Sequence, residues 1–251
     1  MTRPAPTDPI RAENTDEAHW RAWRSWDALP ALDLPADGHV VVVAAHPDDE
    51  VLGFGGTMAL LAAAGVRVTV VALTDGEGSH PRSRVVTPAG LAGIRAEETR
   101  TALGRLGAGG ARVVRLGLPD TGVADHEEEA VRRLVPLLAD ARLVAAPWTG
   151  DVHADHEAAG RAATEAARIA GVERVLYPVW MWHWARPADP RVPWESAARI
   201  ALTPEAARRK REAIDCFVSQ IHPLGPAPED AAILRPDEIA HHLRGVEVVF
   251  R

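Results

Sequence analysis

From His39 onward the chain alternates short, Val-rich apolar runs with longer segments whose apolar positions recur at helical spacing. The runs HVVVVAA (39–45), VRVTVVAL (66–73), ARVVRL (111–116), ARLVAA (141–146) and VERVLY (172–177) read as strands. Between them 53–65, 90–107, 125–140 and 155–171 read as helices. Strands that are continuously apolar are buried on both faces, and joined by helices they form a parallel sheet covered on both sides. The pattern predicts an α/β fold, doubly wound and mostly parallel, in a single domain over 39–251. ARIAL (198–202) adds a strand and 204–218 a helix; the tail adds a short helix after Asp237 and an edge strand, GVEVVF. Residues 1–38 form an N-terminal helical extension, in which Trp20, Trp23 and Trp26 recur every third residue along one side. Packing on the domain body is the simpler reading of that stripe; a lid over a site is the alternative.

In an open α/β sheet ligands bind beyond the carboxyl ends of the strands. The segments there are AHPDDE (45–50), TDGEG (74–78), LPDTG (118–122), WTGDVHADH (148–156) and YPVWMWHW (177–184). The connections at the opposite edge, AAGVR, LGAGGA and LADA, carry almost no functional groups. That asymmetry marks the C-terminal edge as a site.

Asp48, Asp49 and Glu50 follow a buried strand directly, and carboxylates crowded in a partly desolvated crevice need a cation or a proton to offset them. Acids also cap helix N-termini, and Glu50 fits that simpler role. Capping leaves His46 unexplained. His153 and His156, three apart at a helix start, present two more imidazoles to one side. Two His and one carboxylate with open positions is the pattern of a catalytic metal site, although spacing does not decide between Asp48 and Asp49 as ligand.

Other readings use the same residues. A non-haem iron oxygenase needs two His and one carboxylate, but its expected scaffold is a β-strand jelly roll. A dinucleotide fold is suggested by GFGG (53–56), yet Met58 breaks the GxGxxG spacing and the preceding acids would repel a pyrophosphate. A non-catalytic sugar- or metal-binding module explains the ligands and leaves an extra acid without a role. Trp180, Trp182 and Trp184 alternate as in a strand or extended loop; their indoles suit either sugar stacking or a core or oligomer contact. His241 and His242 read as surface residues.

Composition narrows the partners. At 251 residues with 47% hydrophobic and 25% charged positions, the chain is of ordinary globular type. No apolar run approaches the ~20 residues of a membrane span, and the N-terminus lacks the apolar stretch of a signal peptide. With Cys216 alone no internal disulfide forms, so the cytoplasm is the expected compartment. A net charge of −7 without a basic stripe argues against nucleic acid. Oligomeric state is left open.

The chain resembles the PIG-L (LmbE-like) family of zinc-dependent N-acetylglucosamine deacetylases. The resemblance runs from about His39 to Gln220, through VVVAAHPDDEVLGFGG, ALTDGEG, IRAEETRTALGRLG, LPDTG, HADHEAAGRAA, YPVW and KREAIDCFVSQ; AHPDDE is the most specific motif. It implies metal ligands at His46, Asp49 and His156, a general base at Asp48 and an assisting His153, which we expect Asp155 to orient. It also implies that Arg95 and Asp120 face the sugar; Glu77 and Trp182 read as further substrate contacts. The activity implied is removal of an N-acyl group, acetyl in the first instance, from a small amino-sugar conjugate, with Zn2+ or Fe2+ as cofactor. The family's usual HPDH is HADH here through Ala154, and Asp151 stands where some members carry Tyr.

Overall fold

A computed structural model describes Ile10 and residues 13–251; the rest of the Pro-rich start of the extension lies outside the described residues. A short helix, α1 (Glu17–Ala22), is capped by the Asp16 carboxylate. Then β1 (His39–Ala44), α2 (Asp49–Ala63), β2 (Arg67–Ala72), α3 (Pro88–Arg105), β3 (Arg112–Arg115), α4 (Glu127–Leu134), β4 (Leu143–Pro147), α5 (Ala154–Ala170) and β5 (Glu173–Tyr177) alternate. They are followed by α6 (Met181–Trp184), β6 (Ala197–Ala201), α7 (Pro204–Ile214), α8 (Val218–Ile221), α9 (Pro236–Ala240) and β7 (Val246–Phe250).

Among the described residues the strands form one sheet of 7, in the order β3, β2, β1, β4, β5, β7, β6. The first five pair in parallel, and β7 runs antiparallel to β5 and β6. Side chains alternate across each strand, so β1 serves two cores. Val40 and Val42 pack with Phe54 and Met58 of α2, Leu103 of α3 and Ile214 of α7. Val41 and Val43 pack with Leu134 of α4, Ala159 and Ala163 of α5, and Trp20 of α1. The doubly wound, mostly parallel α/β architecture therefore stands as expected.

Several local expectations are corrected. The helix expected at 53–65 starts at Asp49, because the acids themselves open its first turn. The one expected at 125–140 is broken into a 3-10 turn, α4 and another 3-10 turn, where Pro136 removes a backbone donor. β7 is not an edge strand. Glu247 within it is buried and accepts from Lys210 Nζ, Gly56 N–H, and the N–H and hydroxyl of Thr57. The edge is β6.

Trp180, Trp182 and Trp184 fall in and beside a short helix, α6, rather than an extended segment. The tail histidines are buried: His241 bonds Glu17 and Asn14, and His242 bonds the Leu52 carbonyl. The Trp stripe packs on the body and is no lid. Trp20 is fully buried, donates to the Trp182 carbonyl and meets that ring edge-on at 5.1 Å.

Neighbouring strands β1 and β4 lead into helices on opposite faces of the sheet, α2 on one and α5 on the other. A crevice opens between such strands at their carboxyl ends.

Candidate active site

The turn leaving β1 is held in a costly conformation. Asp48 has φ 124° and ψ −31°, a region that side-chain-bearing residues avoid at a cost of about 1–3 kcal/mol. Its surroundings leave little alternative. The Asp48 carbonyl accepts the N–H groups of Val51 and Leu52, its own N–H donates to Glu50, and the His46 N–H donates to Asp49 Oδ2 at 2.8 Å. Arg95, 2% exposed, donates to the Pro47 carbonyl, to the Gly76 carbonyl at 3.0 Å and to Asp48 Oδ2 at 3.1 Å. Thus Glu50 does more than cap a helix. The glycines of GFGG serve packing: a Cβ on Gly53 would lie 2.1 Å from the Tyr177 ring.

The turn leaving β4 supplies the other histidines. His153 caps α5, its Nδ1 accepting the Asp155 N–H at 3.3 Å. That acceptance leaves the proton on Nε2 in the neutral ring. Burial and the charges of His156 and His46 push His153 down to about 3, so it is neutral and a donor at Nε2. Asp155 was expected to orient it through its carboxylate. Instead that carboxylate accepts from Thr121 and Val123 N–H and meets His46 Nε2 at 3.2 Å, and only the Asp155 backbone touches His153.

The groups converge. Ligand atoms of His46, His153 and His156 lie within 4.8 Å of one another, as do those of His46, Asp120 and Asp155. Asp49, expected as a ligand, is in neither group, but its oxygens reach His156 Nε2 at 3.2 Å and His46 Nδ1 at 3.5 Å. Burial alone would depress His46 and His156. Hydrogen bonds to the carboxylates of Asp120, Asp155 and Asp49 hold His46 well above the usual range, and Asp49 with Asp151 lifts His156 to about 9. Burial would raise Asp49, yet the two imidazoles hold it well below the carboxylate range. This electrostatic arrangement attracts positive charge at one point, and its N and O donors suit a divalent transition metal.

Asp48 behaves differently. Burial and the Asp49 charge, only partly offset by Arg95, push it up to about 7. Glu50, fully buried, is raised to about 8 by burial and by its acidic neighbours.

A cavity of about 640 Å³ opens over these groups, with His46, Asp48, Asp49, Arg95, Asp120, His153 and His156 on its wall. Asp120 accepts the Gly78 N–H at 2.7 Å and meets His46 at 3.1 Å, so it faces the centre as well as the cavity. Arg95 likewise acts on Asp48. Glu77 is set behind the wall, accepting the Asp120 N–H at 3.0 Å. Trp182 is not at the cavity: it is buried in the core beneath the Arg244 guanidinium, 4.3 Å from the ring centroid. Because α6 is helical, Trp180 takes the cavity position.

Asp151 is the residue the sequence reading undervalued. Fully buried, it accepts His156 Nδ1 at 2.7 Å and the N–H groups of Val179, Trp180 and Met181 at 2.8–3.1 Å. A carboxylate five residues before a helical His was the signal available; the 179–181 contact has none in sequence.

A doubly wound sheet with histidines and acids at its switch point defines an α/β protein with a candidate metal centre. The family model described as PIG-L, GlcNAc-PI de-N-acetylase, matches residues 41–167, and the chain belongs to that family. It is 36% identical over 171 residues to a 1D-myo-inositol 2-acetamido-2-deoxy-alpha-D-glucopyranoside deacetylase of Nocardia farcinica, covering 59% of this chain and 57% of the relative. Against the protein of the same name from Rhodococcus opacus it is 33% identical, covering 68% and 63%. The chain thus spans little more than half the length of such relatives. Among solved structures it is similar to the conserved protein TT1542 from Thermus thermophilus, with TM-score 0.56 and 31% identity over 72% of this chain and 79% of that one. It shares the fold of N,N'-diacetylchitobiose deacetylase from Pyrococcus horikoshii, with TM-score 0.58 at 21% identity over 82% and 80%. No helix among the described residues is long and apolar enough to cross a membrane.

Proposed function

We propose that this protein is a metal-dependent amidase that removes an N-acyl group, acetyl in the first instance, from a small amino-sugar conjugate. The observation that carries the reading is the convergence of three imidazoles on one cavity wall beside Asp48, a buried carboxylate pushed up to about 7. His46 and His156 hold the metal together with Asp49, whose carboxylate lies within 3.5 Å of both rings. Zinc is the ion we assign, and ferrous iron fits the same donors. Such an ion, when bound, supplies Lewis acidity toward an acyl carbonyl and toward water.

The chain's own groups do the rest. Asp48 is held by Arg95 at 3.1 Å, and its affinity for a proton near neutrality lets it take one from water and return it to the leaving amine. Neutral His153 presents Nε2–H to the oxygen that gains charge. Asp120, between Gly78 N–H and His46, positions the sugar side, and Arg95 acts through Asp48. A binding module would leave Asp48's strained turn without purpose, and an oxygenase's jelly roll is absent from the described residues.

The test is acetate release from N-acetylglucosaminides by zinc-loaded protein under nitrogen. Asp48→Asn should lower turnover by ~100-fold while metal content holds, and His156→Ala should lose the metal. Unchanged turnover in Asp48→Asn, or a requirement for iron and oxygen, would sink the reading.

A further inference from the structure

The cavity lining has two chemically distinct parts. One carries the histidines and acids. The other is walled by Pro81 and by Pro228, Ala231, Ala232, Ile233 and Leu234 of the segment that follows α8. This wall is built by backbone bonds. The Gln220 carbonyl accepts the N–H groups of both Ile233 and Leu234 at 2.9 Å, His80 Nε2 meets the Ala231 carbonyl at 3.1 Å, and the Leu224 N–H donates to the Asp230 carbonyl at 2.8 Å. Since those polar groups fix the segment's shape, it offers mainly aliphatic side chains to the cavity, with Glu229 the one charged exception.

Ile233 is 37% exposed, and apolar surface gathered within a ligand cavity marks a contact for an apolar ligand group. Beyond the histidine centre the charged lining residues are one arginine, Arg82, and two acids, Glu229 and Glu238. The other lining arginine, Arg95, is occupied with Asp48 and two carbonyls. Among the described residues a phosphate or polyanion finds no cluster of cations here. The volume of about 640 Å³ falls within the ~300–1,000 Å³ typical of sites for drug-sized ligands, which leaves room beside a sugar. Segment 228–234 also lies outside residues 41–167, the part matched by the family model.

Resting on the deacylase reading above, we propose that this wall is a subsite for an apolar substituent of the amino-sugar substrate. The substituent is a hydrocarbon or aryl group, carried as the aglycone or as the acyl chain itself.

The experiment compares kcat/KM of the zinc-loaded protein for three compounds below their micellar concentrations. These are methyl N-acetyl-β-glucosaminide, octyl N-acetyl-β-glucosaminide and methyl N-octanoyl-β-glucosaminide. At least one octyl compound should exceed the methyl parent by ~tenfold, the gain from burying about 55 Å² of apolar surface. Which of the two does so identifies aglycone or acyl chain. In Ile233→Asp that ratio should fall toward one, whereas partial misfolding lowers both rates together and preserves it. Equal rates for all three in the wild type overturn the subsite and leave the deacylase reading intact. If no compound is hydrolysed, the deacylase reading fails and calorimetric binding decides the subsite alone. Tighter binding of an octyl compound supports it, and equal affinities overturn it.

Discussion

Replacing Asp151 by Asn probes how the histidine centre is tied to the rest of the cavity. Each carboxylate oxygen accepts two donors: Oδ2 takes His156 Nδ1 at 2.7 Å and Trp180 N–H at 2.9 Å, and Oδ1 takes Val179 N–H at 3.1 Å and Met181 N–H at 2.8 Å. The amide of Asn must face one pair or the other, so two donors meet a donor whichever way it turns. Hydrogen bonds to a charged group contribute about 1.5–3 kcal/mol each, which puts the loss at about 3–6 kcal/mol. If the amide turns toward His156, the ring is also freed to rotate, and loss of such a partner behind a metal-binding His typically weakens metal affinity by ~10–100-fold. Two assays read this: thermal unfolding of the metal-free protein, and zinc affinity by competition with a chelator. Unfolding and zinc affinity both equal to wild type would refute the reasoning.

Two further perturbations test the frame around the centre. Gly53→Ala places a methyl 2.1 Å from the buried Tyr177 ring, whose hydroxyl is fixed to the Val43 carbonyl; overpacking of this kind costs about 1–3 kcal/mol. Its Tm should fall by roughly 2–4 °C per kcal/mol, and an unchanged Tm would show that α2 can shift freely on the sheet. Glu17 joins α1 to the tail: burial would raise its pKa, but His241 and Arg244 outweigh that and lower it to about 2. A folded pKa below the unfolded one of about 4.5 means stability present above pH 4.5 and lost as pH falls toward 2. Glu17→Gln should therefore lie below wild type by on the order of 2 kcal/mol, allowing for solvent screening, at pH 6 and converge with it near pH 2. A pH-independent gap would contradict the assignment.

Much of this protein is written locally. The continuous Val runs required strands buried on both faces, and β1 is found feeding two cores through alternate residues. Functional groups gathered after the strands and not after the helices, so the site's edge followed from composition along the chain. AHPDDE and HADH named residues that meet within a few ångströms. Such features survive in one dimension because strand period, helix spacing and the residues flanking a turn are properties of neighbours.

What tertiary structure decided lies between distant segments. That Asp155 serves His46 and the 121–123 turn, while Asp151 serves His156 and the 179–181 turn, depends on which loops the sheet order brings together. Buried Glu247 meets Lys210, 37 residues away, at 2.7 Å inside the sheet's cover, a pairing that no local pattern marks. Trp182, expected at the substrate, went to the core and Trp180 lines the cavity, because four residues formed a helical turn instead of an extended run that would keep the indoles on one side. Burial sets the cost of every unpaired polar group, and burial is a property of the whole packed chain, so these pairings became definite only when the chain closed on itself.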